Sequence, residues 1–160
     1  PTPSPAHPAR PPHVENAAVE IAPVIDALRK ADRPMLLLGT HATRTDAALA
    51  AAGRLAAAGV AVFADTFVAR QRRGGGRFEP KRLPYFGELA LAAIARHDLM
   101  ILAATVPPVG FFAYPGQPSG LVPTGMPVAR LCGRDDDAAD RLAELADRLG
   151  APAADRPAAP

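Results

Sequence analysis

Cysteine and serine are scarce in this sequence. Of 160 residues, one is cysteine, Cys132, and two are serines, Ser4 and Ser119. A lone cysteine excludes an internal disulfide framework and a cysteine-based metal cluster, and it suits a reducing compartment. Neither serine lies in a G-x-S-x-G turn, and no ligand stands at metal-binding spacing from His41. The sequence therefore offers no recognisable catalytic or metal-binding constellation.

Long apolar runs and a strong charge of one sign are also missing. The formal charge is +2, which does not imply a polyanionic partner although the sequence pI is about 9.2. No run approaches the roughly 18 apolar residues needed to cross a bilayer, and the opening PTPSPAHPARPPH has no signal-peptide core. We expect a cytoplasmic protein with no nucleic-acid or membrane partner.

Proline is concentrated at the two ends. Residues 1–13 contain six prolines without apolar periodicity, and the tail APAADRPAAP repeats that chemistry. Proline stiffens the chain and removes a backbone donor, so these ends are predicted to be extended linkers. We therefore expect linkers at 1–16 and 151–160 around one domain at 17–150, as if excised from a longer polypeptide.

Between the linkers, helical and strand patterns alternate, which predicts an α/β domain with a mostly parallel sheet. Thr43 and Asp46 have the spacing of a capping box, Pro23 is expected to delay or kink the first helix, and Gly59 and Gly150 are expected helix stops. We predict helices at 17–30, 43–59, 86–96 and 135–150, and strands at 35–39, 60–65, 98–103 and 128–131.

In such a sheet, ligands bind beyond the carboxyl ends of the strands. A glycine turn leading into a helix offers N–H groups to an anion, so the turn after the first strand is a candidate phosphate site; a plain tight turn is the alternative. Neither G-x-G-x-x-G nor a P-loop motif occurs. The predicted cofactor-binding residues are Gly39, Thr40, His41, Thr43, Thr66, Arg70 and Thr105.

The segment RQRRGGGRFEPKR, residues 70–82, holds six cations against Glu79 alone. One interpretation is a solvated, mobile loop; the other is a cationic wall for an anionic cofactor or a neighbouring subunit. Among the histidines, His41 is expected to be a surface turn residue. His97 lies at a helix end, where the helix dipole favours a cation.

The stretch ADRPMLLLGTHATRTDAALAAAGRLAAAGVAVFADTF resembles the central domain of thiamine-diphosphate-dependent enzymes. The continuation RLPYFGELALAAIARHDLMILAATVPPVGFFAYPGQPSGLVPTG is similar to the acetolactate synthase large-subunit branch, and the resemblance covers residues 17–150. It implies a three-layer, Rossmann-like fold with about six strands. The two strands not assigned above would lie within residues 64–85 and near Gly120–Val122.

The resemblance also implies a function. Thiamine diphosphate and magnesium would be held by two outer domains of a homodimeric or homotetrameric transferase or lyase, leaving this domain a non-catalytic scaffold. Some members hold FAD or ADP in the central domain, but the loop AATVPP at residues 103–108 carries no charge, so flavin binding is not expected. The alternative is a stand-alone nucleotide-binding module of the electron-transfer-flavoprotein type.

Residues 99–125 combine a buried-strand pattern with a proline-rich segment that carries Phe111, Phe112 and Tyr114. The favoured hypothesis is that these rings pack against the thiamine-binding domains. The other is that the loop folds back as a plug over the sheet edge, against residues such as Thr40, Phe67 and Leu121.

Overall fold

The computed structural model describes residues 20–111, 119–134 and 136–153. Their sheet has five strands in the order β3-β2-β1-β4-β5, and every pair is parallel. The strands are β1 (Pro34–Leu38), β2 (Ala61–Ala64), β3 (Lys81–Arg82), β4 (Leu99–Ala103) and β5 (Val128–Cys132). The predicted α/β class with a mostly parallel sheet is confirmed.

Helices cover both faces of the sheet and complete three layers. They are α1 (Ala22–Lys30), α2 (Thr40–Thr43), α3 (Asp46–Ala57), α4 (Gly87–Ile94) and α5 (Ala138–Arg148). Successive side chains of a strand point to opposite faces. Leu36 and Leu38 therefore join the core under α1, α3 and α5, whereas Met35 and Leu37 join the core under α4.

The sheet has one strand fewer than the resemblance implies. The strand expected within 64–85 is present as β3, which has only two residues, both exposed, and pairs with the end of β2. Near Gly120 the described residues form an isolated antiparallel bridge with Val109 instead of a sixth strand. Pro107, Pro108 and Pro123 have no N–H to donate, which prevents a longer ladder there.

The capping-box prediction at Thr43 is wrong. Helix α3 begins two residues later, where the Thr45 hydroxyl accepts a hydrogen bond from the Ala48 amide at 3.2 Å. Ala48 has no acceptor to return the bond, so the cap is one-sided. Thr43 belongs to the short helix α2.

The expected delayed start of α1 and the expected helix stops agree with the structure, whereas α5 begins at Ala138, three residues after its predicted start. Helix α1 has Pro23 in its first turn and begins at Ala22, as a delayed start predicts, and residues 17–19 lie outside the described part. Gly59 and Gly150 follow α3 and α5 with φ of 95° and 63°, which is the left-handed conformation of a helix stop.

Helices α3 and α5 are tied together at their carboxyl ends. Arg54 of α3 pairs with Asp147 of α5 at 2.7 Å and donates to the Ala151 carbonyl at 3.1 Å. The first residues after α5 are thus held against the domain. Residues 1–16 and most of 151–160 lie outside the described part, so both linkers stay predictions. Within the described ranges, no helix combines the length and the apolarity that a bilayer crossing requires.

Candidate functional site

The centre of the carboxyl edge is a close crossing of two chain segments. The chain leaves β1 through Gly39, whose amide donates to the Ala103 carbonyl at 2.9 Å. Ala104, directly after β4, has a left-handed φ of 56°. Its carbonyl oxygen would lie 1.8 Å from a Cβ on Gly39. Glycine is therefore required here by the neighbouring backbone, whether or not a ligand binds.

A side-chain bridge spans this crossing. The Thr105 hydroxyl, after β4, donates to Asp65 Oδ2 at 2.5 Å, and Asp65 follows β2. The other carboxylate oxygen accepts from the Phe67 amide at 3.3 Å, and the Asp65 amide donates to the Leu38 carbonyl at 2.8 Å. The loops after β2 and β4 are thereby joined across the end of β1.

A cavity of about 500 Å³ opens at this edge. Five of the seven predicted cofactor-binding residues line it, namely Gly39, Thr40, His41, Thr66 and Thr105. Asp65 and Arg134 add charged groups that the prediction omitted, and Phe67 with the residues around Pro107 forms an apolar wall. Asp65 belongs to the segment after the second strand, which sequence order places at this edge, and nucleotide-binding folds often have an acidic residue there. Arg134 lies in the loop after β5, and no pattern in the sequence marks that loop as part of a site.

Thr43 and Arg70, the other two predicted residues, do not line the cavity. Thr43 is fully buried, and the nearest acceptor to its hydroxyl is the Arg70 carbonyl at 2.8 Å. The Arg72 amide donates to the Thr43 carbonyl at 3.0 Å, and the Ala69 amide donates to the Thr40 hydroxyl at 3.0 Å. Helix α2 therefore holds segment 69–72 in place. Arg70 contributes a backbone oxygen to that contact.

Thr66 also bonds to the protein backbone. Its hydroxyl donates a hydrogen bond to the Leu83 carbonyl at 3.2 Å or to the Pro84 carbonyl at 3.3 Å. The threonines that the sequence suggested as ligand contacts thus mainly order the loops. Asp65, His41 and Arg134 supply the charged and titratable side chains in the lining.

The basic segment 70–82 folds against the amino end of α3. Arg72 and Arg77 both pair with Asp46, at 3.0 and 2.7 Å, and the hydrogen bond from Arg77 lowers the pKa of that carboxyl. Gly74, Gly75 and Gly76 all have positive φ, so the turn has a defined left-handed path. None of these residues lines the cavity, so the lining gives no support to a cationic wall for a cofactor there, and a role towards a neighbouring subunit stays a prediction.

The prediction for His97 is also wrong. Partial burial lowers the pKa of its imidazole, an effect larger than the opposing hydrogen bond with the Arg33 carbonyl at 3.2 Å. The ring lies edge-on to Phe63, with centroids 5.8 Å apart. Desolvation of the ring is the largest cause, and it disfavours the imidazolium cation.

Four aromatic rings, Phe67, Tyr85, Phe86 and Phe111, form a cluster that we call the aromatic rim. Phe111 lies 5.5 Å from Phe67 and 5.8 Å from Tyr85, measured between ring centroids, and Tyr85 lies 5.7 Å from Phe86. Phe111 contacts Phe67, as the plug hypothesis predicts, but remains 61% exposed, as the interface hypothesis predicts. Phe112 and Tyr114 lie outside the described residues.

Comparison with known proteins identifies a relative in Mycobacterium tuberculosis. A protein assigned there as the acetolactate synthase large subunit IlvX is 41% identical over 133 residues, which cover 83% of this chain and 26% of IlvX. The chain resembles a domain of thiamine-diphosphate-dependent enzymes. It spans about a quarter of the length of this relative. No protein-family model matches the chain.

Two solved structures share the fold. One, from Mycobacterium smegmatis, is described as a thiamin diphosphate-dependent enzyme and matches with a TM-score of 0.52 over 78% of this chain and 27% of that one. The other is the 4-hydroxybenzoylformate decarboxylase of Rhodococcus jostii RHA1, with a TM-score of 0.59 over 95% of this chain and 31% of that one. Each is 23% identical in sequence, so these matches concern the fold alone.

Proposed function

We propose that this chain is the non-catalytic central domain of a thiamine-diphosphate-dependent 2-keto-acid carboligase or decarboxylase of the acetolactate synthase type. The observation that carries the proposal is the extent of the match, which takes in most of this chain but only 26% of IlvX. The remaining length of such a relative is sufficient for further domains. Thiamine diphosphate and magnesium belong to those domains in this proposal, and the parent protein is a cytoplasmic homodimer or homotetramer.

The chemistry of the described residues supports a scaffolding role. Within the described ranges, no three histidine, cysteine or acidic side chains are grouped to hold a metal ion. What the carboxyl edge provides is a rigid arrangement of loops, fixed by the Gly39–Ala104 crossing and the Asp65–Thr105 bridge.

We describe the cavity as a vestigial nucleotide site, because one of its features suits a nucleotide and another opposes one. Asp65 stands where such folds bind a ribose hydroxyl. The Ala104 carbonyl, however, lies over Gly39, where a phosphate would approach the turn. A partial negative charge at that point repels an anion, which opposes binding of FAD or ADP.

Thermal unfolding with added FAD or ADP tests the vestigial site. A ligand at a hundredfold excess over its Kd would stabilise the native state by about 2.7 kcal/mol, so genuine binding would be readily detected. We expect little shift and a colourless protein. A clear shift with ADP that disappears in Arg134→Ala but persists in Arg70→Ala would instead establish a working site in the cavity.

The main proposal is tested by comparing the 160-residue chain with the complete polypeptide encoded by its gene. With thiamine diphosphate and magnesium, the short chain should consume no pyruvate or benzoylformate, whereas the complete polypeptide should turn over a 2-keto acid. Acetolactate or aldehyde production by the short chain contradicts the proposal. A gene that encodes no further domains contradicts it as well.

The electron-transfer-flavoprotein alternative gains no support from the two solved structures described above, because neither of them is a protein of that type. Of the residues it would use, Thr43 and Arg70 are occupied in holding α2 against segment 69–72.

A further inference from the structure

The aromatic rim is a large apolar surface on an otherwise well-packed domain. Its four rings are between 44% and 61% exposed. With about 150–250 Å² of surface for each aromatic side chain, the rim leaves about 400 Å² in contact with solvent. Leu89, one helical turn after Phe86, is 55% exposed and extends this surface along α4. Patches of this size on a single domain usually mark a binding surface.

Ordered backbone holds the rings of the rim. The Phe67 amide donates to Asp65, the Phe86 carbonyl accepts from Ala90 in the first turn of α4, and Phe111 follows Gly110, whose amide donates to Ser119 at 2.8 Å. The Phe67–Tyr85 and Tyr85–Phe86 pairs are near-perpendicular edge contacts. The surface is thus pre-organised, which lowers the entropic cost of docking.

We infer that the aromatic rim docks the apolar face of another domain of the same polypeptide. This inference rests on the proposed function. Two observations indicate the occupant. The match to IlvX leaves about three quarters of that protein outside the similarity. The four rings carry no charge, so the surface that packs against them is expected to be apolar. The formal charge of +2 on the chain does not favour a polyanionic occupant such as single-stranded nucleic acid.

Cysteine labelling tests the inference, because the native cysteine of this chain is expected to react too slowly to interfere. Cys132 is buried, and burial raises the pKa of its thiol to about 11, so it reacts slowly with maleimide near neutral pH. Reporter thiols are introduced singly as Phe86→Cys and Leu89→Cys, and Ala58→Cys, on the exposed end of α3, is the matched control. Each is followed by mass spectrometry in tryptic peptide 83–96 or 55–70, neither of which contains a native cysteine.

The labelling rates are measured in the 160-residue chain and in the complete polypeptide. Burial at a domain interface should slow the reaction of Phe86→Cys and Leu89→Cys about tenfold or more in the complete polypeptide, and the rate for Ala58→Cys should not change. Equal rim rates in the two proteins overturn the inference. Protection that arises in the short chain and grows with its concentration also overturns it, because the occupant is then a second copy.

Activity separates this inference from the function on which it rests. Thiamine-dependent turnover of a 2-keto acid is measured on the same wild-type complete polypeptide. Turnover together with unprotected rim positions refutes the docking surface and leaves the function standing. Protected rim positions without turnover refute the function and retain a docking surface for a domain of another kind.

Discussion

Replacing Gly39 by alanine should destabilise the domain strongly, because a neighbouring backbone segment occupies the space of the added methyl group. The new Cβ would lie 1.8 Å from the Ala104 oxygen, 2.6 Å from the Ala104 carbonyl carbon and 3.1 Å from the Thr105 Cβ. To restore ordinary contact, one segment must move by about 1.5 Å. The Ala104 segment cannot move freely, because Ala103 accepts the Gly39 amide and Thr105 donates to Asp65.

The cost has two parts. Overpacking costs about 1–3 kcal/mol, and loss of the largely buried Thr105–Asp65 bond adds about 1–3 kcal/mol, so we expect a loss of about 4 kcal/mol in the free energy of unfolding. Urea titration followed by circular dichroism measures it. With a slope near 2 kcal/mol per molar urea, the midpoint should fall by about 2 M at an unchanged slope.

Gly59→Ala is the matched control. Gly59 also requires a left-handed backbone, with φ of 95°, but nothing lies within 4 Å of a Cβ there, so only conformational strain of about 1 kcal/mol is added. If Gly39→Ala costs no more than Gly59→Ala, the described crossing of β1 and β4 is incorrect.

Three further predictions follow from single residues. Ala104→Gly should change the free energy of unfolding by less than about 1 kcal/mol in the same titration, because relief of the strain at φ of 56° is offset by the loss of a buried methyl group and by greater backbone entropy, and a larger change in either direction would contradict this. The pKa of His97 is lowered on folding, so the unfolded state binds more protons below pH 6.5; stability should fall as the pH drops from there through the folded pKa. His97→Gln should flatten that slope in urea titrations at several pH values, and an unchanged slope would assign it to other groups. Cys132, with its pKa raised to about 11, should react with Ellman's reagent at neutral pH only after unfolding, and fast labelling of the native chain would show that it is accessible.

The central strands were predictable because burial on both faces imposes a simple pattern. Leu36 and Ile101 lie in continuous apolar runs that only a covered parallel strand explains. Strand β3 was expected within 64–85 only from the resemblance, and no local pattern marks its position, since Lys81 and Arg82 are two exposed cations without periodicity. The α3 cap was misplaced because Thr43 and Thr45 both precede plausible helix starts.

The candidate site was only partly predictable. Sequence order places Gly39 and Thr66 at strand ends, and topology then brings them to one edge. The left-handed backbone of Ala104 has no sequence signal, because alanine rarely adopts it. Whether a threonine bonds to a ligand or to its own backbone, as Thr43 does, depends on loop paths that no local pattern encodes.

The two borders of the sheet bear on how the protein behaves at high concentration. An open strand border is a template on which a foreign extended chain can add and begin polymerisation. One border here is β3, only two residues long and cationic at both, and the other is β5, where Arg130 is exposed. A second sheet that paired with either border would bury these charges without a compensating partner, which is unfavourable. Fibre growth by strand addition is therefore disfavoured at both borders, even in a crowded solution.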